Sequence, residues 1–264
     1  MFTLAYDIIG SIAIYDPKEN KEDEKNLVKK ILEKHKNVKT VFRKESGREG
    51  EFRLRRLKLV AGENKSITIH KENNCIFKLN VRKVYFSPRE GTERMIVAEK
   101  INEYIKNFGN FQDLVLVFFA GIGPYAILIS KRCCVKNIVA IEKNPVAVKY
   151  LKENIKLNKI KNVEVICDDV RNVTKNFFNQ ADFVIMPLPE SGWKYLEDAI
   201  NCLKNRGICF FYGISDESDL FTKWKDLIKS KAEKLNKKIK FLDERKVLPF
   251  GVRKFKIRID FMVF

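Results

Sequence analysis

The chain has 264 residues, 45% of them hydrophobic, so it can bury a real core in one large domain or two. No apolar run reaches the roughly 18 residues of a membrane span, and MFTLAYDIIG lacks the basic start and cleavage site of a secretory leader. With only two histidines, His35 and His70, histidine-based metal or triad chemistry is excluded as a starting point.

The formal net charge of +18 is unevenly placed. Residues 36–60 carry nine Lys/Arg against three acids, and residues 223–258 carry fourteen against four. Concentrated positive potential of this kind suits a phosphate backbone. A Lys-rich solvated surface is the plainer alternative. The six cysteines, Cys75, Cys133, Cys134, Cys167, Cys202 and Cys209, form no CxxC and read as buried free thiols of a cytoplasmic protein, not as metal ligands.

In chain order, Ala5–Tyr15 alternates and predicts one strand, with Gly10 at a bulge or close approach. Lys18–Lys34 predicts an amphipathic helix and Val38–Phe42 a short strand. Glu45–Glu51 is a polar glycine loop. In Phe52–Val60, Arg53, Arg55 and Lys58 interleave with Leu54, Leu57 and Leu59. Ser66–His70 and Cys75–Asn80 bracket Glu72-Asn73-Asn74, a hairpin turn. Residues 1–84 thus read as a small basic α+β domain, expected to face RNA and to complete the active site, ahead of a second domain over residues 85–264.

Val84–Arg94, VYFSPREGTER, is the junction between them. Thr92 is placed as the N-cap of a helix over Glu93–Phe108. Val115–Glu142 reads as strand, glycine turn, helix, strand. Val115–Phe119 is a continuous apolar run, suited to a parallel strand covered on both faces. Gly121 and Gly123 let the backbone turn and approach a ligand. Glu142 ends the second strand, about 20 residues on, where such sheets bind a ribose. FAGIGP is not the dinucleotide fingerprint, because Pro124 and Tyr125 follow the second glycine. An uncharged or cationic nucleoside such as S-adenosylmethionine fits better than a pyrophosphate.

Asn144–Leu157 then predicts a helix and Val163–Ile166 a strand, followed by Asp168-Asp169, acids able to accept from an adenine amino group. Phe183–Met186 is the next strand, and Pro187-Leu188-Pro189 builds a stiff wall at the usual ligand crevice. Trp193–Leu203 and Leu220–Leu235 predict helices. Gly207–Gly213 and Lys238–Leu242 predict strands, and Val252–Phe264 a last strand, antiparallel to its neighbour after a connection at Pro249-Phe250-Gly251.

YFSPREGTER, FAGIGP, IEKNP, DDVR and LPES after ADFVIM, in that order, resemble the archaeal and eukaryal tRNA (guanine-N1-)-methyltransferases, which modify position 37 beside the anticodon. The resemblance covers most of the chain, without the small extra N-terminal domain of many members. It implies a class I (Rossmann-like) methyltransferase fold: α/β, with a mostly parallel seven-stranded sheet and a final antiparallel strand. It implies S-adenosylmethionine as cofactor, the tRNA anticodon stem-loop as partner, no metal, no membrane and a monomer. By matching position it makes Glu93 the general base and Arg53 the stabiliser of charge on the guanine oxygen. Tyr85, Arg89 and Arg94 would line the cofactor and base, Glu142 would bind the ribose and Asp169 the adenine. Phe119, Gly121, Gly123, Lys143, Asp168 and Pro187 belong to the same cofactor motifs.

Those residue types suit the chemistry. Guanine N1 carries a proton, so a carboxylate must remove it as the methyl group transfers. The resulting charge spreads to O6, where a guanidinium stabilises it. A helix N-terminus lowers the pKa of Glu93, so apolar shielding from Tyr85 and Phe86 is expected to oppose the dipole.

Two positions depart from the family pattern. Val117 replaces an acid before the glycine turn, which should weaken cofactor binding. Pro187 replaces the Asn of NLP and resembles an archaeal branch that also methylates carbon 7 of 4-demethylwyosine. Two further readings stand beside methyl transfer to guanosine. One is aminocarboxypropyl transfer to wyosine intermediates, against which GIGP and PLPES speak. The other is a non-catalytic tRNA-binding protein, supported by Val117 and opposed by Glu93, Glu142 and Asp169.

Overall fold

A computed structural model of the protein describes residues 6–17, 20–109 and 113–264. Its centre is a seven-stranded sheet built from β7 (Leu114–Phe118), β8 (Asn137–Ile141), β9 (Val163–Ile166), β10 (Ala181–Met186), β11 (Leu203–Asp216), β12 (Ile239–Gly251) and β13 (Lys254–Val263). The strand order is β12-β13-β11-β10-β7-β8-β9. From β9 to β11 every pair is parallel, and β13 is antiparallel to both β11 and β12. This is the class I arrangement expected from the sequence. The antiparallel hairpin turns at Val252-Arg253, with Arg253 at φ 51°, and not at Pro249–Gly251, which stay in β12.

Parallel strands need crossovers, and these cover both faces. Helices α2 (Gly91–Phe108), α3 (Pro124–Arg132) and α4 (Pro145–Leu157) pack with the larger core cluster on one face. The short α5 (Val170–Val173), α6 (Leu196–Cys202) and α7 (Thr222–Lys234) pack with the other. Hence β7 and β10 bury almost every side chain, which is why they read as unbroken apolar runs.

The first third forms a four-stranded sheet, β1 (Tyr6–Ile9), β2 (Ile12–Tyr15), β3 (Thr40–Lys44) and β4 (Leu57–Gly62), backed by α1 (Lys21–Lys34). The single strand expected over Ala5–Tyr15 is instead the β1–β2 hairpin; Ala5 lies outside the described residues, as does Lys18 of the expected first helix. Gly10 makes that turn at φ +58°, and a Cβ there would sit 2.2 Å from the Ile69 carbonyl oxygen. The close approach was legible; the reversal was not.

A separate hairpin, β5 (Ile67–Glu72) and β6 (Cys75–Asn80), joins the two sheets. Asn73 and Asn74 take positive φ at its turn. On the first sheet's side, Thr68 Oγ1 accepts a hydrogen bond from Ser11 N (2.9 Å). On the other side, Asn154 of α4 and its C-cap residue Asn158 satisfy the free edge of β6. Lys78 N donates to Asn154 Oδ1 (2.7 Å), and Ile76 N donates to Asn158 Oδ1 (2.9 Å). A spacing of four on a helix matches a spacing of two on a strand, so two amides replace a missing strand. Asn154 also donates to the Ile122 carbonyl in the glycine turn (3.1 Å), which ties the hairpin to the cavity described next.

Candidate active site

A cavity of about 190 Å³ opens at the carboxyl ends of β7, β8, β9 and β10. It has room for on the order of a dozen waters, which is the scale of a small-molecule site. Its walls come from the β7–α3 turn, the acids after β8 and β9, Pro187 and Leu188 after β10, and Arg53, Tyr85 and Phe86 from the first third and the junction.

Glu142 lines it with a buried carboxylate. Gly121 N and Asn144 N each donate to it at 2.7 Å. Burial pushes its pKa up, and those backbone donors pull the other way. With both amides bound, each oxygen retains a lone pair for a ligand hydroxyl. Asp168 and Asp169 line the adjacent wall. Asp169 caps α5 by accepting from Arg171 N (3.0 Å), and Asp168 is held below the ordinary range by Asn172 and the Asp169 amide. Lys143 bridges Glu51 and Asp169, the latter at 3.2 Å. Phe119, at φ 55°, presents its ring to Tyr195 with centroids 5.0 Å apart.

Gly121 lines the cavity, but Gly123 does not. At φ +90°, a Cβ on Gly123 would meet Leu151 Cδ1 at 2.2 Å, so this glycine serves the turn and helix packing. Arg89 is also outside: it is exposed and pairs with Asp7. Arg94 reaches the cavity wall but is spent on structure, since it donates to Glu72 through Nε and Nη2 (2.8 and 2.9 Å) and to the Ser87 carbonyl (2.8 Å). Val117 is fully buried in the core and offers the cavity nothing.

Glu93 was expected to face the base, and the structure turns it away. Its carboxylate accepts from Tyr212 (2.8 Å), Arg258 (2.7 Å) and Arg245 (3.0 Å), and it is not among the cavity-lining residues. It reaches the cavity only indirectly: Tyr125, on the wall, donates to Tyr212 at 3.0 Å. The helix begins two residues earlier than expected. Thr92 is an exposed first-turn residue, and Glu90 occupies the cap position after a 3-10 turn over Pro88–Glu90.

That register makes Glu90 the cavity's buried acid on this side. Its carboxylate accepts from Lys256 (2.8 Å) and from the Tyr85 hydroxyl (3.2 Å). Lys256 and Arg94 hold it below the usual carboxylate range against the effect of burial. Sequence reasoning missed Glu90, because its partner Lys256 lies on the last strand. Two guanidinium groups pack on Tyr85, Arg48 4.3 Å and Arg53 4.8 Å from its ring centre. Arg53 also lies 2.9 Å from Glu190, without hydrogen-bond alignment.

Lys256 and Arg258, in the second basic stretch, are buried and add nothing to the surface charge. Four thiols are buried, whereas Cys134 and Cys167 are exposed. Among the described residues no metal-ligating cluster occurs, and no helix is long and apolar enough to cross a membrane.

Residues 68–240 match the TRM5/TYW2 methyltransferase domain, and residues 2–65 match the TYW2 N-terminal domain. The chain belongs to the TRM5/TYW2 methyltransferase family. It is 42% identical over 260 residues to the tRNA (guanine(37)-N(1))-methyltransferase Trm5b of Pyrococcus abyssi, covering 98% of this chain and 74% of that one. It is 35% identical to the Nanoarchaeum equitans tRNA (guanine(37)-N(1))/4-demethylwyosine(37)-methyltransferase Taw22, over 97% of this chain and 99% of that protein. Among solved structures, aTrm5 in complex with tRNALeu superposes with a TM-score of 0.83 at 33% identity, over 98% of this chain and 72% of that one. Methanocaldococcus jannaschii TYW2 in complex with AdoMet gives 0.72 at 28% identity, over 98% of each chain.

Proposed function

We propose that this protein transfers the methyl group of S-adenosylmethionine to N1 of guanosine at position 37 of tRNA. The observation that carries the reading is the convergence of Glu142, Asp168-Asp169, Glu90, Tyr85 and Arg53 on one cavity, in a chain 42% identical to a relative named for that activity. The cavity fits the cofactor. A buried carboxylate follows β8 where a ribose would lie, acids follow β9 where an adenine would lie, and Pro187 forms an apolar wall between strand end and opening. S-adenosylmethionine, when bound, supplies an electrophilic methyl carbon and so removes the need for a metal.

The chain's own residues supply the rest. Residues 1–84 bring Arg53 over the junction, and residues 85–264 hold the cofactor; this division is part of the proposal. Arg53 faces the O6 charge, released from Glu190 as the base enters. Glu90, ionised and facing the cavity, accepts the N1 proton. Position within the YFSPREGTER motif nominates Glu93 instead. From its buried seat it would act through Tyr212 and Tyr125, whose hydroxyls run in line to the cavity wall.

A second reading is favoured by Pro187, which lines the cavity where an Asn amide is expected, and by the similarity to Taw22. Without that amide the wall is apolar and suits the larger tricyclic base, so the chain would also methylate carbon 7 of 4-demethylwyosine.

Incubation with labelled S-adenosylmethionine and two tRNAs, one with guanosine and one with 4-demethylwyosine at position 37, tests both readings. N1-methylguanosine from the first alone supports the first reading only. Methyl products from both support the dual one. An aminocarboxypropyl product, or no product from folded protein that still binds tRNA, overturns both.

A further inference from the structure

Behind Tyr85, the Glu45–Arg56 loop and the junction enclose a side cleft of about 60 Å³. That volume holds about five waters, enough for one phosphate group. Arg48, Arg53 and Arg55 all line it, and it shares Arg53, Tyr85, Phe86 and Ser87 with the main cavity. The loop is ordered by paired backbone hydrogen bonds between Glu49 and Leu54 (2.8 and 3.0 Å). An ordered loop therefore carries all three guanidinium groups to the cleft.

They are poorly neutralised. Among the described residues no carboxylate forms an ion pair with Arg48 or Arg55. The Nε atoms of Arg53 and Arg55 are buried without a hydrogen-bond partner. Burial and the neighbouring Arg48 both act against the Arg55 charge, and Asp16, Tyr85 and Asp7 (which lines the cleft but pairs with Arg89 and Lys44) only partly offset them. A half-buried guanidinium whose Nε has no partner is costly unless a ligand completes it. Planar donors of this kind match phosphate oxygens.

We propose that Arg48 and Arg55 form an anion site that grips the phosphodiester flanking the target nucleotide, while the adjoining cavity takes its base. Phosphate contacts set register without reading sequence, and a base drawn out of its stack needs its backbone fixed. The inference rests on the tRNA methyltransferase reading above.

The test is a binding cycle on the full-length protein with S-adenosylmethionine present. Full-length tRNA would carry an uncharged methylphosphonate at the phosphate 5′ or 3′ of nucleotide 37, or at a remote stem position as control. For the wild type, one flanking replacement should weaken binding roughly tenfold. The Arg48→Gln/Arg55→Gln variant should start weaker by a similar factor and be indifferent to that replacement. The remote replacement should cost both proteins equally. If the double variant unfolds, Arg48→Gln alone carries the cycle. Equal losses in variant and wild type, or no loss in the wild type, overturn the anion site while leaving methyl transfer intact. A wild type that binds no tRNA overturns both readings.

Discussion

The Lys256 ammonium of the last strand donates to the Glu90 carboxylate at 2.8 Å, closing a contact across 166 positions of sequence. Through it, β13 keeps ionised the acid that faces the cavity from the start of α2. This contact separates the two candidate bases. If Glu90 takes the N1 proton, Glu90→Gln should lower kcat roughly a hundredfold to ten-thousandfold. Tyr212→Phe, which cuts Glu93 off from the cavity wall, should then change kcat little. If Glu93 is the base, the two results exchange places. Single-turnover methylation of guanosine-37 tRNA by each variant decides between them.

Glu142 should matter for cofactor and not for RNA. Glu142→Gln keeps the shape but loses the charge that accepts from Gly121 and Asn144. Its affinity for S-adenosylmethionine should fall roughly tenfold to a hundredfold, with tRNA binding unchanged. Titration calorimetry with each ligand checks this; an unchanged cofactor affinity removes Glu142 from the site.

Gly123→Ala should destabilise the protein by about 2–4 kcal/mol, from a strained left-handed residue plus overpacking against Leu151. Adding Leu151→Val should recover part of the loss. Denaturant unfolding of the two variants measures both steps.

Glu72 gives the pH dependence a sign. Arg94 and His70 hold its carboxyl below the usual range despite burial. A depressed acid stabilises the fold fully above its unfolded value, about 4.3. That contribution is lost as pH falls through the lower folded value. The stability gap between wild type and Glu72→Gln should therefore be present at about pH 5 and shrink progressively as pH falls below about 4. Thermal unfolding on acidification is the check, and a gap that does not shrink as pH falls contradicts it.

Thiol labelling should split the cysteines. Burial pushes Cys133 and Cys202 up to about 12 and raises Cys75 and Cys209 as well. Native protein should therefore modify quickly at Cys134 and Cys167 only, and at all six positions in denaturant. Peptide mass mapping reads this directly.

The sequence by itself determined the main strands of the central sheet, the helices that alternate with them and the acids that end β8 and β9. Those features are local: an apolar run such as Leu114–Phe118 reports burial on both faces, and Glu142 and Asp169 simply end the strands that carry them. Helix boundaries were legible to within a few residues for the same reason. The β5–β6 reversal was legible in Asn73-Asn74, but two other reversals were misplaced. The β1–β2 reversal at Gly10 read as one strand, and β12 ran on through Pro249, because an isolated alternating pattern does not say which neighbour it pairs with.

Only the tertiary structure decided which acid of PREGTER faces the cavity. Glu90 and Glu93 lie three residues apart at one helix start, and sequence cannot rank them. The ranking comes from β12 and β13, which present Arg245 and Arg258 to Glu93 and Lys256 to Glu90. It likewise took the fold to show that Arg94 is consumed by Glu72, that Arg89 points outward and that Asn154 and Asn158 finish a strand edge. Each depends on contacts between segments far apart in sequence. Burial makes such contacts strong, and the local pattern of residues leaves them unspecified.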